Sequence, residues 1–259
     1  KQLNKFRNYF KNKSIYNFNV IDIEYFSKKY LQRYPPSIFY IFKNNYFHGV
    51  ISKNHFQFFF KRIGDLIFSF LLLIILSPLM ILVSIIIGLF DKGPIFYRQR
   101  RSGKGGKTFK ITKFRTMCLN AEDNGPIWSK KNDQRITKIG KVLRKMRLDE
   151  LPQLISVLKG DMSLIGPRPE RPELEKNLKE QISQYTTRYN IKPGLSGWAQ
   201  VNYCYGASIK DAKNKLSYDL FYLKNFSTLF DFLIFFKTIR VLFNFQGSEP
   251  EKVLSKKSL

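Results

Sequence analysis

The sequence is poor in cysteine and in acidic residues. Its 259 residues include two cysteines, Cys118 and Cys204, and neither belongs to a Cys-x-x-Cys pair. This argues against a disulfide framework and a cysteine-based zinc site, and we expect two reduced thiols. Only 19 Asp and Glu oppose 45 Lys and Arg, which gives a formal charge of +26. Such a charge favours an anionic partner: nucleic acid, anionic lipid headgroups or a phosphorylated small molecule.

Charged residues are absent altogether from one long stretch. The 25 residues from Leu66 to Phe90 contain no Lys, Arg, Asp, Glu or His. As a helix this run would be about 37 Å long, which is enough to cross a bilayer. A soluble core helix is seldom so uniformly apolar, and a signal peptide does not fit an internal run without a small-residue cleavage site. We therefore predict a membrane helix over residues 61–90.

The middle and the flanks of this run indicate how it enters the membrane. Ser77 and Pro78 lie near its centre, where proline removes a backbone donor and predicts a kink. Basic residues flank both ends: Lys61 and Arg62 before the run, and Lys92, Arg98, Arg100 and Arg101 after it. A spanning helix usually has its positive flank on one side only. The pattern favours a re-entrant helix that bends at Ser77-Pro78, with a kinked spanning helix as the alternative.

The remaining chain divides on either side of the membrane helix. Residues 1–60 are rich in Asn, Lys, Phe and Tyr and carry no motif; with Lys1 in first place instead of methionine, we interpret them as the remnant of an upstream domain or a linker. Residues 91–259 are expected to carry the chemistry. Their C-terminal aromatic segment, Phe226–Phe245, has apolar residues at helical spacing. It predicts either an amphipathic helix in the membrane interface or a helix packed on the core.

A basic β-hairpin is predicted directly after the membrane helix. The β-prone segments Ile95–Arg101 and Thr108–Phe114 flank the glycine-rich sequence SGKGGK. Glycines in such a loop can form a nest of backbone N–H groups for an anion, or they can simply make the turn. The loop does not match the G-x-x-x-x-G-K-[ST] pattern of a P-loop.

Two adjacent carboxylates, Asp149 and Glu150, follow the cations Arg144, Lys145 and Arg147. One interpretation makes Asp149 the N-cap of a helix that has Pro152 in its first turn and ends at Gly160. The other places a phosphate at this helix N-terminus, where a carboxylate can attack phosphorus and its neighbour can bind Mg²⁺. The two interpretations are compatible.

A stiff arginine-containing segment supplies a further phosphate ligand. Pro167 and Pro169 bias the backbone around Arg168 towards an extended conformation. A guanidinium presented in this way suits bidentate contact with phosphate. The alternative is a rigid turn with a solvent-exposed arginine.

Four sequence motifs follow the proline-containing apolar helix. They are KFRTM (113–117), LDELPQL (148–154), GDMSLIGPRP (160–169) and KPGLSGWAQV (192–201). Over roughly Lys61 to Phe243, the sequence closely resembles the bacterial sugar transferase family, the monotopic polyprenyl-phosphate phosphoglycosyl transferases. The sequence GPRPERPE resembles the longer exopolysaccharide-type members, which often have extra N-terminal domains.

The resemblance implies an enzyme that transfers a sugar 1-phosphate from a UDP-sugar to undecaprenyl phosphate and releases UMP. It places the enzyme at the cytoplasmic face of the bacterial inner membrane. Asp149 matches the family's nucleophile and Glu150 its magnesium-binding partner, and Ser77-Pro78 matches the break in the re-entrant helix. Basic residues expected to bind substrate phosphates are Lys113, Arg115, Arg144, Arg147 and Arg168.

We therefore expect a mixed α/β fold, mostly α, with a membrane-associated catalytic domain, a re-entrant helix, a basic hairpin and interfacial amphipathic helices. The expected partners are a UDP-sugar, undecaprenyl phosphate, Mg²⁺ and membrane lipids, with homo-oligomer formation left open. A membrane-anchored nucleic-acid binder would also explain the charge, but no nucleic-acid motif is present and we expect none to bind. A scaffold protein is the third alternative. The sequence NYCYGAS after Val201 leaves the sugar unnamed.

Overall fold

The computed structural model describes residues 25, 27–41, 55–123, 125, 127–129, 132–203, 206 and 208–243. The chain has a mixed α/β fold that is mostly helical. Much of the predicted 1–60 region lies outside the described residues, as does Cys204, whereas Cys118 is a free, exposed thiol. The described N-terminal part contains a π-helical turn, Ser27–Leu31, and a 3-10 turn, Pro36–Ile41.

This N-terminal part packs on the C-terminal half of the chain. Tyr34 and Phe39 are buried in the main hydrophobic core, and the indole N–H of Trp198 donates to the carbonyl oxygen of Gln32 at 2.8 Å. The core therefore includes side chains from before the membrane helix as well as from after it.

The apolar run forms one long helix, α1, from His55 to Phe90. It begins ahead of the predicted start at residue 61. In the part of the chain that the structure describes, it is the one helix long and apolar enough to cross a membrane. The helix is continuous through Ser77 and Pro78, and the Ser77 hydroxyl donates to the carbonyl oxygen of Ile74 at 2.8 Å.

Both ends of α1 contact the rest of the domain, while its middle does not. Near the start, Asp65 and Ser69 are buried; near the end, Val83 and Ile87 are buried. Most apolar side chains between these two contact regions are exposed. The Asp65 carboxylate accepts hydrogen bonds from the Ser163 hydroxyl at 3.0 Å and the Leu164 amide at 2.9 Å.

Strands β1, Phe96–Ser102, and β2, Thr108–Phe114, pair antiparallel next to the end of α1. Side chains alternate between the two faces of such a pair. The inner face carries Tyr97, Gln99, Arg101 and Lys113, which line a cleft. The outer face begins at Phe96 and Phe114, whose rings stack with centroids 5.3 Å apart. Phe114 also packs on Val83 and Ile87 of α1.

After α2, Lys138–Lys145, the chain enters a 3-10 turn, Leu148–Gln153, and then α3, Leu154–Lys159. The prediction that Asp149 is an N-cap is wrong. The capping position belongs to Arg147, which has a left-handed conformation with φ of 58°, and Asp149 lies inside the turn. Gly160, with φ of 91°, ends α3 as predicted.

Two short strands, β3 (Ser163–Ile165) and β4 (Gly194–Ser196), pair in parallel. Parallel strands need a crossover connection, which here contains α4, Pro172–Gln181. The strands approach very closely beyond β3: a Cβ on Gly194 would collide with the amide nitrogen of Gly166. Only glycine fits at residue 194, and the contact fixes the start of the Gly-Pro-Arg-Pro turn.

The C-terminal part consists of α5, Trp198–Asn202, α6, Ile209–Lys224, and α7, Thr228–Phe243. Helix α6 supplies much of the core, and α7 packs on it through the fully buried Ile234. One face of α7 therefore packs on the core, as one of the two alternatives for this segment predicted. The apolar stripe at helical spacing in the sequence, Phe232, Phe235, Phe236, Ile239 and Leu242, lies on another face. Ile239 is half-buried and the other four side chains are exposed.

Candidate active site

A cleft of about 440 Å³ opens beside the inner face of the hairpin. Its walls come from the hairpin, the loop after β2, the 3-10 turn, the Gly-Pro-Arg-Pro turn and α6. All seven residues predicted from the sequence for catalysis or phosphate binding line it: Lys113, Arg115, Arg144, Arg147, Asp149, Glu150 and Arg168. The structure thus brings together residues from three segments that are far apart in sequence: 113–115, 144–150 and Arg168.

The carboxylate pair lies at the back of this cleft. The 3-10 turn that carries the pair packs along β2, and Asp149 and Glu150 are only 8% and 9% exposed. Burial of two carboxylates is costly unless cations compensate their charge. The surrounding cations contact Glu150 more closely than Asp149.

Glu150 receives the direct contacts. The Lys113 ammonium donates to Glu150 Oε1 at 2.9 Å. The Arg168 guanidinium binds both carboxylate oxygens, with Nη1 donating to Oε2 at 3.1 Å and Nη2 donating to Oε1. Burial favours protonation, but Arg168 and Lys113 outweigh it and hold the pKa of Glu150 well below its usual value. Glu150 is therefore ionised.

Asp149 has the opposite shift. Burial raises its pKa, and the negative charge of Glu150 raises it further. Lys113, Arg144 and Arg147 oppose this shift without cancelling it. A buried carboxylate that is less stabilised than its neighbour is poorly solvated, which favours nucleophilic reactivity.

The cations have different roles in the structure. Lys113 is itself largely removed from solvent, and burial lowers its pKa although Glu150 opposes the change. Arg144 is held over the cleft by hydrogen bonds to the Thr116 hydroxyl at 2.8 Å and the Ser129 hydroxyl at 3.1 Å. Arg115 instead donates to the carbonyl oxygens of Asp91 and Lys92. It therefore ties β2 to the end of α1.

The turn that presents Arg168 is held from both sides. Arg188 donates to the carbonyl oxygen of Arg168 at 2.5 Å, and Arg101 donates to the carbonyl oxygen of Pro169 at 3.1 Å. Arg188 in turn forms a buried ion pair with Asp219 on α6 at 3.2 Å. These contacts fix the backbone whose side chain binds Glu150.

Arg188 and Asp219 were not predicted from the sequence. A signal was available for Arg188, because it is the lone cation between Tyr185, Tyr189 and the apolar Ile191. A charged residue in such surroundings is rarely buried without a partner. No comparable signal marks Asp219, which lies on a helix with mixed polar and apolar residues.

A second polar network lines the outer wall of the cleft. Glu122 accepts from the Tyr97 hydroxyl at 2.7 Å and from Arg171 at 2.7 Å. Burial and the hydrogen bond to Glu122 raise the pKa of Tyr97 to about 12, so this phenol stays protonated. The network joins the loop after β2 to β1 and to the start of α4.

A metal ion could be held only by a small ligand set. Among the described residues, no group of three or more His, Cys, Asp or Glu side chains is positioned to hold a metal. Asp149 and Glu150 offer two carboxylates. Mg²⁺ commonly binds one or two protein carboxylates together with substrate phosphates and water. The donor set therefore fits Mg²⁺ in the presence of a phosphorylated substrate.

Comparison with known proteins adds independent information. The family model "Bacterial sugar transferase" matches residues 56–245. The chain is 46% identical over 184 residues to an Aeromonas hydrophila protein named UDP-N-acetylgalactosamine-undecaprenyl-phosphate N-acetylgalactosaminephosphotransferase, covering 71% of this chain and 44% of the relative.

Two further relatives carry similar names. A UDP-glucose:undecaprenyl-phosphate glucose-1-phosphate transferase of Klebsiella pneumoniae is 40% identical over 182 residues, which cover 70% of this chain and 39% of the relative. An undecaprenyl-phosphate galactose phosphotransferase of Salmonella typhimurium is 39% identical over 205 residues, which cover 73% and 42%. The matched part of the chain spans less than half the length of each of these three curated relatives. The residues that the family model matches include nearly all of the long helix, the hairpin and the whole cleft, and on this basis the chain belongs to the bacterial sugar transferase family.

Proposed function

We propose that this protein transfers a sugar 1-phosphate from a UDP-sugar to undecaprenyl phosphate and releases UMP. The observation that carries the proposal is the buried Asp149 beside a Glu150 neutralised by Lys113 and Arg168, in a cation-lined cleft next to an apolar helix. The names of the relatives support the same reaction.

Asp149 acts as the nucleophile in a two-step reaction. Its carboxylate oxygen attacks the β-phosphorus of the UDP-sugar, the bond from that phosphorus to the bridging oxygen breaks, and UMP leaves with the electron pair. A phosphate oxygen of undecaprenyl phosphate then attacks the same phosphorus. The bond to Asp149 breaks, the free carboxylate returns, and the lipid carries the sugar diphosphate.

The cations stabilise the charge that builds up on the transferring group. Lys113, Arg144, Arg147 and Arg168 surround the carboxylates, and such preorganised cations act strongly in a cleft that excludes water. Arg168 also keeps Glu150 ionised, and its two hydrogen bonds to the carboxylate hold the Glu150 side chain in place. The Arg188–Asp219 ion pair positions Arg168 through its backbone.

Asp149 and Glu150 are the residues that would hold Mg²⁺, with Glu150 as the principal ligand. When bound, the ion supplies Lewis-acid stabilisation of the diphosphate charge. Glu150 would then share its oxygens between the ion and its two cationic partners.

The chain is proposed to enter the inner membrane from the cytoplasmic face, with α1 as a re-entrant helix. Support comes from the contacts of α1 with one domain at both ends, through Asp65 and Ser69 and through Val83 and Ile87. Between them, the segment around Ser77 and Pro78 is exposed and apolar. The exposed aromatic stripe of α7 would lie in the interface, with Lys237 and Arg240 near headgroups.

The sugar is left to experiment, because the relatives' names mention N-acetylgalactosamine, glucose and galactose. Purified protein in detergent, with undecaprenyl phosphate and Mg²⁺, is to be tested for UMP release from a panel of UDP-sugars. A protein that acts only as a scaffold or as a nucleic-acid binder would release none.

Asp149→Asn tests the nucleophile. We expect this variant to lose turnover and to form no covalent adduct with a donor labelled in its sugar phosphate, while its thermal unfolding is retained. Asp161→Asn, which changes an exposed aspartate in the next motif, is the matched control and should behave as the wild type. Turnover by Asp149→Asn, or a wild-type adduct on another residue, would remove Asp149 from this role.

A further inference from the structure

We propose that the outer face of the β1–β2 hairpin is a docking surface for anionic lipid headgroups. The outer face is defined here as the side of the sheet opposite the cleft. Its members are Arg98, Arg100, Thr108, Lys110 and Thr112. Phe96 and Phe114 end the face next to α1, where they also border the cleft. The proposal rests on the membrane insertion of α1 put forward above and is independent of the phosphotransfer chemistry.

The cations of the outer face are exposed and uncompensated. Arg98, Arg100 and Lys110 are all exposed, and among the described residues no carboxylate forms an ion pair with any of them. Lys104 and Lys107 extend the positive surface around the exposed hairpin turn. Five cations thus project from one small structural unit into solvent.

The pairing register makes this arrangement unfavourable in isolation. Arg100 lies directly opposite Lys110 across the two strands. Like charges in directly opposed positions destabilise a strand pair. The strands keep this repulsion although the inner face of the same hairpin pairs its cations, Arg101 with Glu170 and Lys113 with Glu150. An anionic partner on the outer face would relieve it.

The position of the face indicates which anion. Phe96 and Phe114, at one end of the outer face, pack together and against the last turns of α1. The outer face therefore starts beside the end of α1, where that helix leaves the bilayer in the proposed orientation. The potential of an anionic leaflet extends about one Debye length, roughly 8 Å, from its surface. With the outer face lying along the leaflet, its cations and those of the hairpin turn are within this distance of the headgroups.

The same geometry argues against the phosphorylated substrates as occupants. The cations that line the cleft belong to the inner face, and alternation directs the outer-face side chains to the opposite side of the sheet. A substrate phosphate next to Asp149 and Glu150 is therefore separated from Arg98, Arg100 and Lys110 by the hairpin itself.

Lysine footprinting of the whole chain tests the proposal. The protein is reconstituted into nanodiscs of phosphatidylcholine alone or with about one-third phosphatidylglycerol, acetylated briefly and analysed by mass spectrometry. We expect Lys104, Lys107 and Lys110 to be acetylated at least about threefold more slowly with phosphatidylglycerol. The protection should disappear in about 0.5 M NaCl, which screens charges beyond a few ångströms. Exposed lysines on α4 and α6, Lys176 and Lys210, report the background.

A pair of variants with equal charge change sharpens the test. In Arg100→Gln/Lys110→Gln, the protection of Lys104 and Lys107 should fall towards the level in phosphatidylcholine, whereas Lys176→Gln/Lys210→Gln should leave it unchanged. Equal acetylation in both kinds of nanodisc, or equal protection of Lys176 and Lys210, would overturn the proposal. Protection by added RNA in neutral nanodiscs, without protection by phosphatidylglycerol, would assign the face to a soluble polyanion and also overturn it. Absence of the protein from the nanodisc fraction would instead contradict the insertion of α1.

Discussion

Asp149 and Glu150 are neighbours in sequence but differ in their electrostatic surroundings. Glu150 is bound by a guanidinium and an ammonium, which keep its pKa low. Asp149 has cations nearby, but burial outweighs them and raises its pKa. The sequence alone showed that the two carboxylates lie among cations. Which cation binds which oxygen depends on the packing of the 3-10 turn on β2, and that contact joins residues far apart in the chain.

The Arg188–Asp219 pair shows a limit of prediction at the residue scale. Motif comparison located the arginine that faces the carboxylates, Arg168, because prolines on both sides mark it. The residues that hold its backbone come from a further 3-10 turn, Tyr185–Asn190, and from α6, and no local pattern links them. Their relation exists only once the core has formed around Tyr185 and Leu220.

Asp219 should make the stability of the protein depend on pH. Burial raises its pKa to about 6 although Arg188 opposes the shift, whereas an unfolded aspartate titrates near 3.9. The folded state therefore binds the extra proton between about pH 4 and 6. The contribution of Asp219 to the free energy of unfolding is therefore largest below about pH 4. It is lost as the pH rises to about 6 and above, which lowers the free energy of unfolding by about 3 kcal/mol in all.

Thermal unfolding of wild type and Asp219→Asn across this range measures the effect. Because asparagine resembles the protonated carboxyl and does not titrate, the melting temperature of the wild type relative to the variant should be higher at pH 4.5 than at pH 7. Asp161→Asn gives the background of an exposed aspartate. A difference that is constant, or that grows with pH, would contradict the assigned shift.

At the scale of elements, most segments were predicted from the sequence and some of their details were not. The strand segments predicted at Ile95–Arg101 and Thr108–Phe114 correspond to β1 and β2 within one residue. The segment after Arg147 was predicted as a helix from its start, whereas it begins as a 3-10 turn and becomes α3 only at Leu154. Both forms suit the same local sequence, and packing on β2 selects between them.

Helix α1 is attached to the domain by a buried carboxylate that the sequence did not mark. Replacing Asp65 with alanine would leave the Leu164 amide and the Ser163 hydroxyl without their acceptor. An unsatisfied buried donor costs about 1–3 kcal/mol, so we expect the melting temperature in detergent to fall by about 5 °C. Asp65→Asn keeps an acceptor oxygen and should lose less. Equal stability of Asp65→Ala and the wild type would show that α1 is held by its apolar contacts alone.

At the scale of the whole molecule, the order of motifs sufficed to assign the family, whereas the contacts of α1 with the rest of the domain required the structure. Sequence spacing left a re-entrant and a spanning helix open. The contacts at both ends of α1 favour the re-entrant form because a single domain reaches both ends.

Cysteine labelling can establish the topology of α1. In a background without native cysteines, His55→Cys and Lys92→Cys place thiols at exposed positions at the two ends of the helix. A membrane-impermeant maleimide should label both from the same side of sealed vesicles. A separate variant that keeps Cys118, which is exposed next to the cleft, as its single cysteine reports the side on which the domain lies. Labelling of the two positions from opposite sides would establish a spanning helix.

The glycine contact behind the cleft has a consequence for how this protein tolerates mutation. The amide of Gly166 occupies the space where a side chain on residue 194 would begin. Even one added methyl group there would act as a wedge between β3 and β4, and β3 leads directly into the turn that carries Arg168. A substitution at this buried position, outside the cleft, would therefore displace Arg168 inside it. A screen for inactive variants should recover substitutions at residue 194 as well as at the two carboxylates.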